Sequence, residues 1–266
     1  MTTLSDAELE RYSRQLVMPE WSGAAQERLR EASAVVVGAG ALGCPAATYL
    51  AAAGVGRLGI VDEDAVELSN LHRQPLHLTP DVGTSKAENA AAKLGFLNPE
   101  VLVEPFPAHL DERNARAIFT GADVVVDCSD SFPTRYAVND ACCAEGIDLV
   151  EAGVLGLSGL VMSIRPGASA CYRCAFPVEP APGSVPSCRE AGVLGAMGGV
   201  IGSLEALEAI KLLAGVGEPL LDRILQLDGA DIAPMTISTR RRPDCPACGA
   251  AGAGGEAAAA DSAEPP

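Results

Sequence analysis

The stretch "SAVVVGAGALGCPAATYLAAAG", from Ser33 to Gly54, constrains the fold more than any other part of the chain. An apolar run reaches Gly38, and Gly40 and Gly43 complete a G-x-G-x-x-G spacing. An alanine-rich segment of helical character follows. Strand, tight turn and helix in that order aim backbone N–H groups and the positive end of a helix dipole at the turn, where a phosphate is held. Gly38 permits the turn, Gly40 lets the backbone approach phosphate, and Gly43 lets helix and strand pack closely. Asp62 ends the next apolar run, at the distance where a carboxylate accepts hydrogen bonds from ribose hydroxyls. Glycines serving close packing alone are the rival reading, and the acid at position 62 favours a nucleotide. The loop by itself does not separate NAD from ATP.

The text around the loop repeats its pattern. Apolar runs at 34–38, 57–62, 101–106, 122–128 and 147–153 read as strands, and helical stretches lie at about 41–53, 84–97, 111–120 and 133–146. Asp111 is placed to cap the third helix. Near-continuous apolar strands alternating with helices imply a doubly wound, mostly parallel α/β sheet of Rossmann type. After Ser158 the character changes. "GLVMSIRPG" has a strand pattern, a Cys/Pro/Gly-rich loop covers 171–192, and a helix is expected at about 199–214, ending at Gly215. "RILQLD" and "APMTIST" add two short strands. The expected organisation is therefore one domain over 1–250, with a nucleotide-binding part at about 30–155. A mixed or antiparallel C-terminal extension, holding the cysteine loop, occupies about 156–250. The Ala/Gly-rich acidic stretch 251–266 lacks an apolar period and is expected to be disordered.

A formal net charge of −16 argues against a nucleic-acid or anionic-membrane surface. No secretory pattern is visible at the N-terminus, and the uncharged, glycine-rich segment 191–204 is too short to span a bilayer. The expectation is a soluble cytoplasmic protein with no nucleic-acid or membrane partner.

Polar residues downstream of the glycine loop separate the nucleotide candidates. Asn70, Arg73, Gln74 and Lys86 follow shortly after Asp62. A dehydrogenase holds its pyrophosphate through backbone N–H groups, whereas a triphosphate under attack needs cations to offset developing charge. One Arg and one Lys on a loop are ordinarily surface residues, but their position after a ribose acid favours the triphosphate. "DCSDSFPTRY" then brings Asp127 and Asp130 to the carboxyl end of the fourth strand, the edge where such sheets bind ligands. A carboxylate beside a triphosphate suits Mg²⁺. For Asp130, capping of the helix that starts near Pro133 is an equal alternative.

"CYRC" and "CPAC" are two C-x-x-C pairs, with Cys171, Cys174, Cys245 and Cys248 as four thiolates for a tetrahedral structural zinc site. A redox pair is the rival reading. Cys44, Cys128, Cys142 and Cys143 fall in helices or at a strand end, where buried thiols are inert. Cys188 lies in a Pro/Gly/Ser-rich loop beside Arg189, a setting that favours thiolate; a free surface cysteine without a role is the alternative.

Together, "RYSRQL", "VVVGAGALGCPAATYLAAAGVGRLGIVDEDAVELSNLHRQ", "SKAENAA", "SDSFPTRYAVNDAC", "CYRCAFP", "PSCREAGVLG", "IGSLEALEAIKLL" and "CPACG" resemble the MoeB/ThiF/HesA group. These are prokaryotic relatives of ubiquitin-activating enzymes, and the chain looks most like their molybdopterin-synthase adenylyltransferase branch, over about residues 8–249. The resemblance implies a homodimer that uses ATP and Mg²⁺ to adenylate the C-terminal glycine of a small ubiquitin-like sulfur carrier, releasing pyrophosphate. Under it, the nucleotide-contacting set is Gly38, Gly40, Gly43, Asp62, Asp64, Ser69, Asn70, Arg73, Gln74, Lys86 and Asp130. Arg73 and Lys86 contact phosphates and Asp130 binds Mg²⁺. Arg14 is an arginine supplied by the partner protomer, and the four paired cysteines match the zinc ligands. Cys188 matches a loop cysteine that in some relatives links covalently to the carrier. Ser131 stands where the family usually has Asn, and "EAGVLGLSGL" is less aromatic than the family's text there. No rhodanese domain follows the second cysteine pair, so a separate sulfur donor, a rhodanese or cysteine desulfurase, is expected.

A terminal carboxylate is already ionised at neutral pH, so attack on an α-phosphate requires positioning and charge neutralisation and no general base. His72, His77 and His109 accordingly need no catalytic role. Competing readings are a nicotinamide-dependent oxidoreductase, an idle scaffold for a ubiquitin-like partner, and a same-fold enzyme that adenylates a tRNA base. The carrier's pathway (molybdopterin, thiamine, cysteine, tRNA thiolation or a secondary metabolite) is not legible in the sequence.

Overall fold

The apolar runs become the centre of one eight-stranded sheet in a computed structural model, which describes residues 4–181, 183–184 and 188–249. Strands β1 (Ser33–Val37), β2 (Arg57–Val61), β3 (Leu102–Phe106), β4 (Val124–Asp127) and β5 (Asp148–Leu155) pair in parallel, in the spatial order β3-β2-β1-β4-β5. The sheet then continues without a break through antiparallel β6 (Ser158–Ile164), β7 (Arg223–Asp228) and β8 (Ala233–Ser238). The doubly wound half and its antiparallel extension are thus as the sequence predicts.

Strand alternation divides the interior in two. Ala34 and Val36 of β1 pack into one core, while Val35 and Val37 pack into another on the opposite face. Helices α3 (Gly23–Glu31), α4 (Gly43–Ala53), α5 (Lys86–Leu97) and α10 (Gly195–Ala214) cover the first face. Helices α6 (Ala115–Ile118), α7 (Phe132–Glu145) and α8 (Tyr172–Ala175) cover the second. Short helices α1 (Asp6–Arg11) and α2 (Ser13–Leu16) precede them, and α9 (Cys188–Ala191) leads into α10.

Two expectations are corrected. The stretch 111–120 is helical only over α6, because the Asp111 carboxylate is taken up by the backbone and guanidinium of Arg113. Asp111 therefore organises a turn and caps no helix. Helix α10 begins at Gly195, earlier than the expected 199. Its glycines are sites of close approach to α4, since a Cβ on Gly202 would lie 2.3 Å from the Leu42 carbonyl oxygen. Packing between backbones outweighs the low helix propensity of glycine.

Both outer strands carry a proline, Pro105 in β3 and Pro234 in β8. Leu102 N–H bonds to the neighbouring strand's side and Thr239 N–H to Asp222, so by alternation both proline nitrogens face away from the sheet. Residues 250–266, which include the expected disordered stretch, lie outside the described residues.

Candidate nucleotide site and cysteine cluster

The glycine loop joins β1 to α4. Gly38 has φ +94°, and a Cβ there would lie 2.9 Å from the Cys128 carbonyl oxygen. A Cβ on Gly43 would come within 1.8 Å of the Gly38 carbonyl oxygen, so any side chain would force β1 and α4 apart. A Cβ on Gly40 would meet only the Gln74 side-chain nitrogen among the described residues, at 3.7 Å. The loop is tight on its inner side and open on its outer side.

Asp62 holds this loop. Its Oδ2 accepts from Ala39 N–H at 2.7 Å and its Oδ1 from Asp64 N–H at 2.9 Å. Burial raises the Asp62 carboxyl above its ordinary range, against the opposing pull of Lys86 and the two amides. Each oxygen retains a lone pair for a further donor.

The segment between Asp62 and α5 folds back over the loop. Lys86 opens α5, and its ammonium, 7% exposed, pairs with the more open Asp64 carboxylate at 2.7 Å. Arg73 is half-buried, with Nη1 donating to the Ser69 carbonyl at 2.8 Å. The Ser69 hydroxyl donates to Glu67, and the buried Asn70 accepts from Glu67 N–H. Gln74 is buried and its Oε1 has no partner. The start of α10 fixes the Arg73 segment from behind, since a Cβ on Gly195 would lie 2.4 Å from the His72 carbonyl oxygen.

Asp130 follows β4 and is exposed, with no hydrogen bond or ion pair to its carboxylate among the described residues. The first turn of α7 has no side-chain cap, so the capping alternative for Asp130 is not realised. Asp127, expected at the open edge beside it, is instead fully buried and faces inward. It sits opposite Glu151 in the β4–β5 pairing. Arg135 of α7 binds Glu151 and also donates to the carbonyls of Ala152 and Ser129, tying down the turn that carries Asp130. Burial drives the carboxyls of Glu151 and Glu205 well above their ordinary range, and the Asp127 charge adds to both shifts.

This network was missed in the sequence. Its only signals are single acids inside otherwise apolar runs, "LVEAG" and "GSLEAL".

Arg14 is not brought to the loop of its own chain. On α2 it is exposed, and its neighbour Gln15 donates to Gln26 and to the Ala53 carbonyl at the C-terminal end of α4. The glycine loop lies at the other end of that helix, about 16 Å away by the helical rise.

The four paired cysteines converge. Their sulfurs lie within 4.8 Å of one another, all buried. The separations are 3.8 Å for Cys171–Cys174, 3.6 Å for Cys171–Cys245 and 3.4 Å for Cys174–Cys248. A tetrahedron of sulfurs around zinc has edges of about 3.8 Å, given bonds of about 2.3 Å. Burial alone would raise the Cys245 thiol, but the amides of Cys248 and Ala247 and the neighbouring thiols pull it down to about 7. The Arg242 N–H reaches Cys174 Sγ at 3.3 Å. These residues fit a structural zinc ion, and the chemistry it would supply is crosslinking of the C-terminal segment to α8.

Of the remaining thiols, burial pushes Cys44 up to about 12 and raises Cys128 and Cys142 well above the ordinary thiol range, consistent with inert core positions. Cys143 is only half-buried and neighbours Cys171. Cys188 opens α9, and its side chain lies outside the described residues.

Residues 12–247 match the ThiF family. The chain belongs to that family. It is 50% identical to the SAMP-activating enzyme E1 of Haloferax volcanii over 92% of this chain and 91% of that protein. It is 49% identical to the sulfur carrier protein adenylyltransferase of Thermus thermophilus, over 90% of each. It is also 49% identical to the mouse adenylyltransferase and sulfurtransferase MOCS3, but spans only 53% of that longer protein. Among solved structures, E. coli MccB with MccA-N7isoASN superposes with a TM-score of 0.82 at 26% identity, over 90% of this chain and 74% of that one. In this ThiF-family chain the open Gly40, the oriented Asp62 and the unpartnered Gln74 oxygen line one edge of the sheet. An unsatisfied buried oxygen costs about 1–3 kcal/mol unless a ligand or water supplies its donor. Among the described residues, no helix is long and apolar enough to cross a membrane.

Proposed function

We propose that this ThiF-family protein adenylates the C-terminal glycine of a small ubiquitin-like sulfur carrier with ATP, releasing pyrophosphate. The observation that carries the reading is the set of groups gathered at one sheet edge. The glycine loop after β1, Asp62 after β2 and Asp130 after β4 follow the carboxyl ends of three adjacent parallel strands, and Arg73 and Lys86 lie on the segment that runs from Asp62 into α5. The names of the relatives, an activating enzyme and adenylyltransferases of sulfur carriers, point the same way. They give the oxidoreductase and tRNA-base alternatives no support.

Asp62 accepts from the ribose hydroxyls and keeps the loop in place through Ala39. Lys86 and Arg73 exchange their present partners, Asp64 and the Ser69 carbonyl, for phosphate oxygens. Asn70, Ser69 and Gln74 shape the wall, Gln74 from beside Gly40. Asp130 would hold Mg²⁺, which neutralises charge on the polyphosphate. The carrier's carboxylate attacks the α-phosphorus, the bond to the pyrophosphate oxygen breaks, and no proton has to move.

The nucleotide part, about 30–155, and the carrier and zinc part, about 156–250, act as one unit in this reading. Its setting is the cytoplasm, with a separate rhodanese or cysteine desulfurase as sulfur donor. Cys188 is the candidate for a covalent link to the carrier.

Arg14 completes the site from a second copy of the chain. An exposed apolar groove of about 810 Å³ across α4 and α10, rimmed by Tyr49, Val200 and Leu207, supports such a homodimer. Carrier-dependent ATP–pyrophosphate exchange tests the whole reading, and its absence with every carrier ending in Gly-Gly overturns it. Co-expressed Arg14→Ala and Asp130→Ala chains test the shared site. Each variant alone is inactive, and the co-expressed mixture regains about a quarter of the exchange rate, because about half of its dimers are mixed and one of the two sites in each of those is intact.

A further inference from the structure

Ala39, between the first two loop glycines, is gripped from both sides. Its N–H donates to Asp62. Its carbonyl oxygen faces His77 Nε2 at 3.0 Å and Cys44 Sγ at 3.4 Å. His77 is 2% exposed, and its other ring nitrogen lies 2.9 Å from Asn89 Oδ1. Asn89 belongs to α5, the helix that begins with Lys86. Lys93, one turn beyond Asn89 on α5, pairs with Asp81 of the segment that follows His77. One ring therefore connects the glycine loop to the helix that presents the lysine.

A buried histidine with both nitrogens bonded is often a satisfied core residue and nothing more. Here the identity of the partners argues otherwise. One is the peptide that turns the Gly40 amide toward the open side of the loop, and the other is a side chain on the Lys86 helix. We propose that His77, with Asn89, is a positioning residue of the adenylation site. It fixes the Ala39–Gly40 peptide relative to α5, so that the loop amide and the Lys86 ammonium address the same polyphosphate. This rests on the ATP reading above.

The partners also dictate the ring protons. A carbonyl can only accept, so Nε2 carries hydrogen. Nδ1 then meets the Asn89 side-chain amide, which can offer either its oxygen or its nitrogen. The charged and titratable groups around this relay are Asp81 and Lys93 on the α5 side and Asp62, Lys86 and Cys44 on the loop side.

His77→Phe preserves the ring's volume and removes both hydrogen bonds, while His77→Gln keeps a donor for the Ala39 carbonyl. The expected result is a rise of about tenfold in the KM for ATP in His77→Phe, with kcat changed less and most of the loss recovered in His77→Gln. The dissociation constant of a non-hydrolysable ATP analogue follows the KM. Asn89→Ala gives a smaller rise, about threefold, and covers the case in which His77→Phe does not fold. In ¹⁵N spectra of the nucleotide-free wild type, the Nε2 resonance of His77 shows an attached proton, as its carbonyl partner requires. Wild-type affinity for the analogue in folded His77→Phe and Asn89→Ala, or a loss confined to kcat, overturns this inference alone. A wild-type protein that binds no ATP overturns the adenylation reading and this inference with it.

Discussion

At the carboxyl edge of β1, β2 and β4, polar groups are held by the protein and left partly unsatisfied. In the cysteine cluster, four buried sulfurs converge within 4.8 Å of one another. The first region is built to exchange partners. In the proposed reaction Lys86 would leave Asp64 and Arg73 the Ser69 carbonyl, and the buried Gln74 oxygen has no hydrogen-bond partner. The second has no exchangeable partner, and its geometry makes sense with all four positions of a tetrahedron filled. One region spends its structure on a ligand that comes and goes, the other on a ligand that stays.

That contrast breaks most visibly at Cys245. Cys245→Ser, or chelation of the wild type, removes a ligand on which the C-terminal segment depends, and a loss of about 4 kcal/mol in stability is expected. Chemical denaturation with parallel metal analysis checks it. Full stability in a metal-free protein would make the cluster dispensable.

Asp130→Ala makes the opposite demand on the other region. An exposed carboxylate without a partner is removed at no structural cost, while pyrophosphate exchange falls by about a hundred- to a thousandfold, or roughly 3–4 kcal/mol in the barrier. The melting temperature stays at the wild-type value. A variant that loses stability along with activity would move Asp130 into the structural class.

A smaller effect lies between the two regions, in the acids behind the nucleotide edge. Burial raises the Glu205 carboxyl, and the Asp127 charge adds to it. A raised carboxyl binds its proton more tightly in the folded state. Its contribution to stability is complete below the ordinary carboxyl range and is lost as pH climbs through the raised one. Glu205→Gln removes this titration, so its melting temperature should decline less than that of the wild type as pH rises above the ordinary carboxyl range. Parallel curves for the two proteins would show that Glu205 does not carry the pH dependence.

The features legible in the sequence are those whose signal is local. Strand–glycine–helix order around Gly38–Gly43, the valine runs of β1 and β4 and the C-x-x-C spacings each occupy a few consecutive residues, and the structure places all of them as expected. What escaped depends on partners distant in the chain. The glycines of α10 read as helix-poor until α4 is known to lie against them, and Asp111 reads as a cap until Arg113 claims it. Asp127 stands near Asp130 in the text, but Asp127 ends β4 buried opposite Glu151, while Asp130 lies in the turn beyond the strand and faces solvent. Histidine 77 escaped for the same reason, its two partners being 38 positions upstream and 12 positions downstream.

The outward-facing nitrogens of Pro105 and Pro234 set a rule for how another polypeptide meets this sheet. Each free edge lacks a hydrogen-bond donor at one position, so a strand laid alongside would leave a carbonyl unanswered there, at no expense to the ladder already formed. An extended chain end therefore has little to gain by becoming a ninth strand. The favourable approach is end-on, across the tips of the parallel strands. The same two residues that guard the protein against sticking to its own copies thus steer a visiting tail toward the edge where its terminal carboxylate would react.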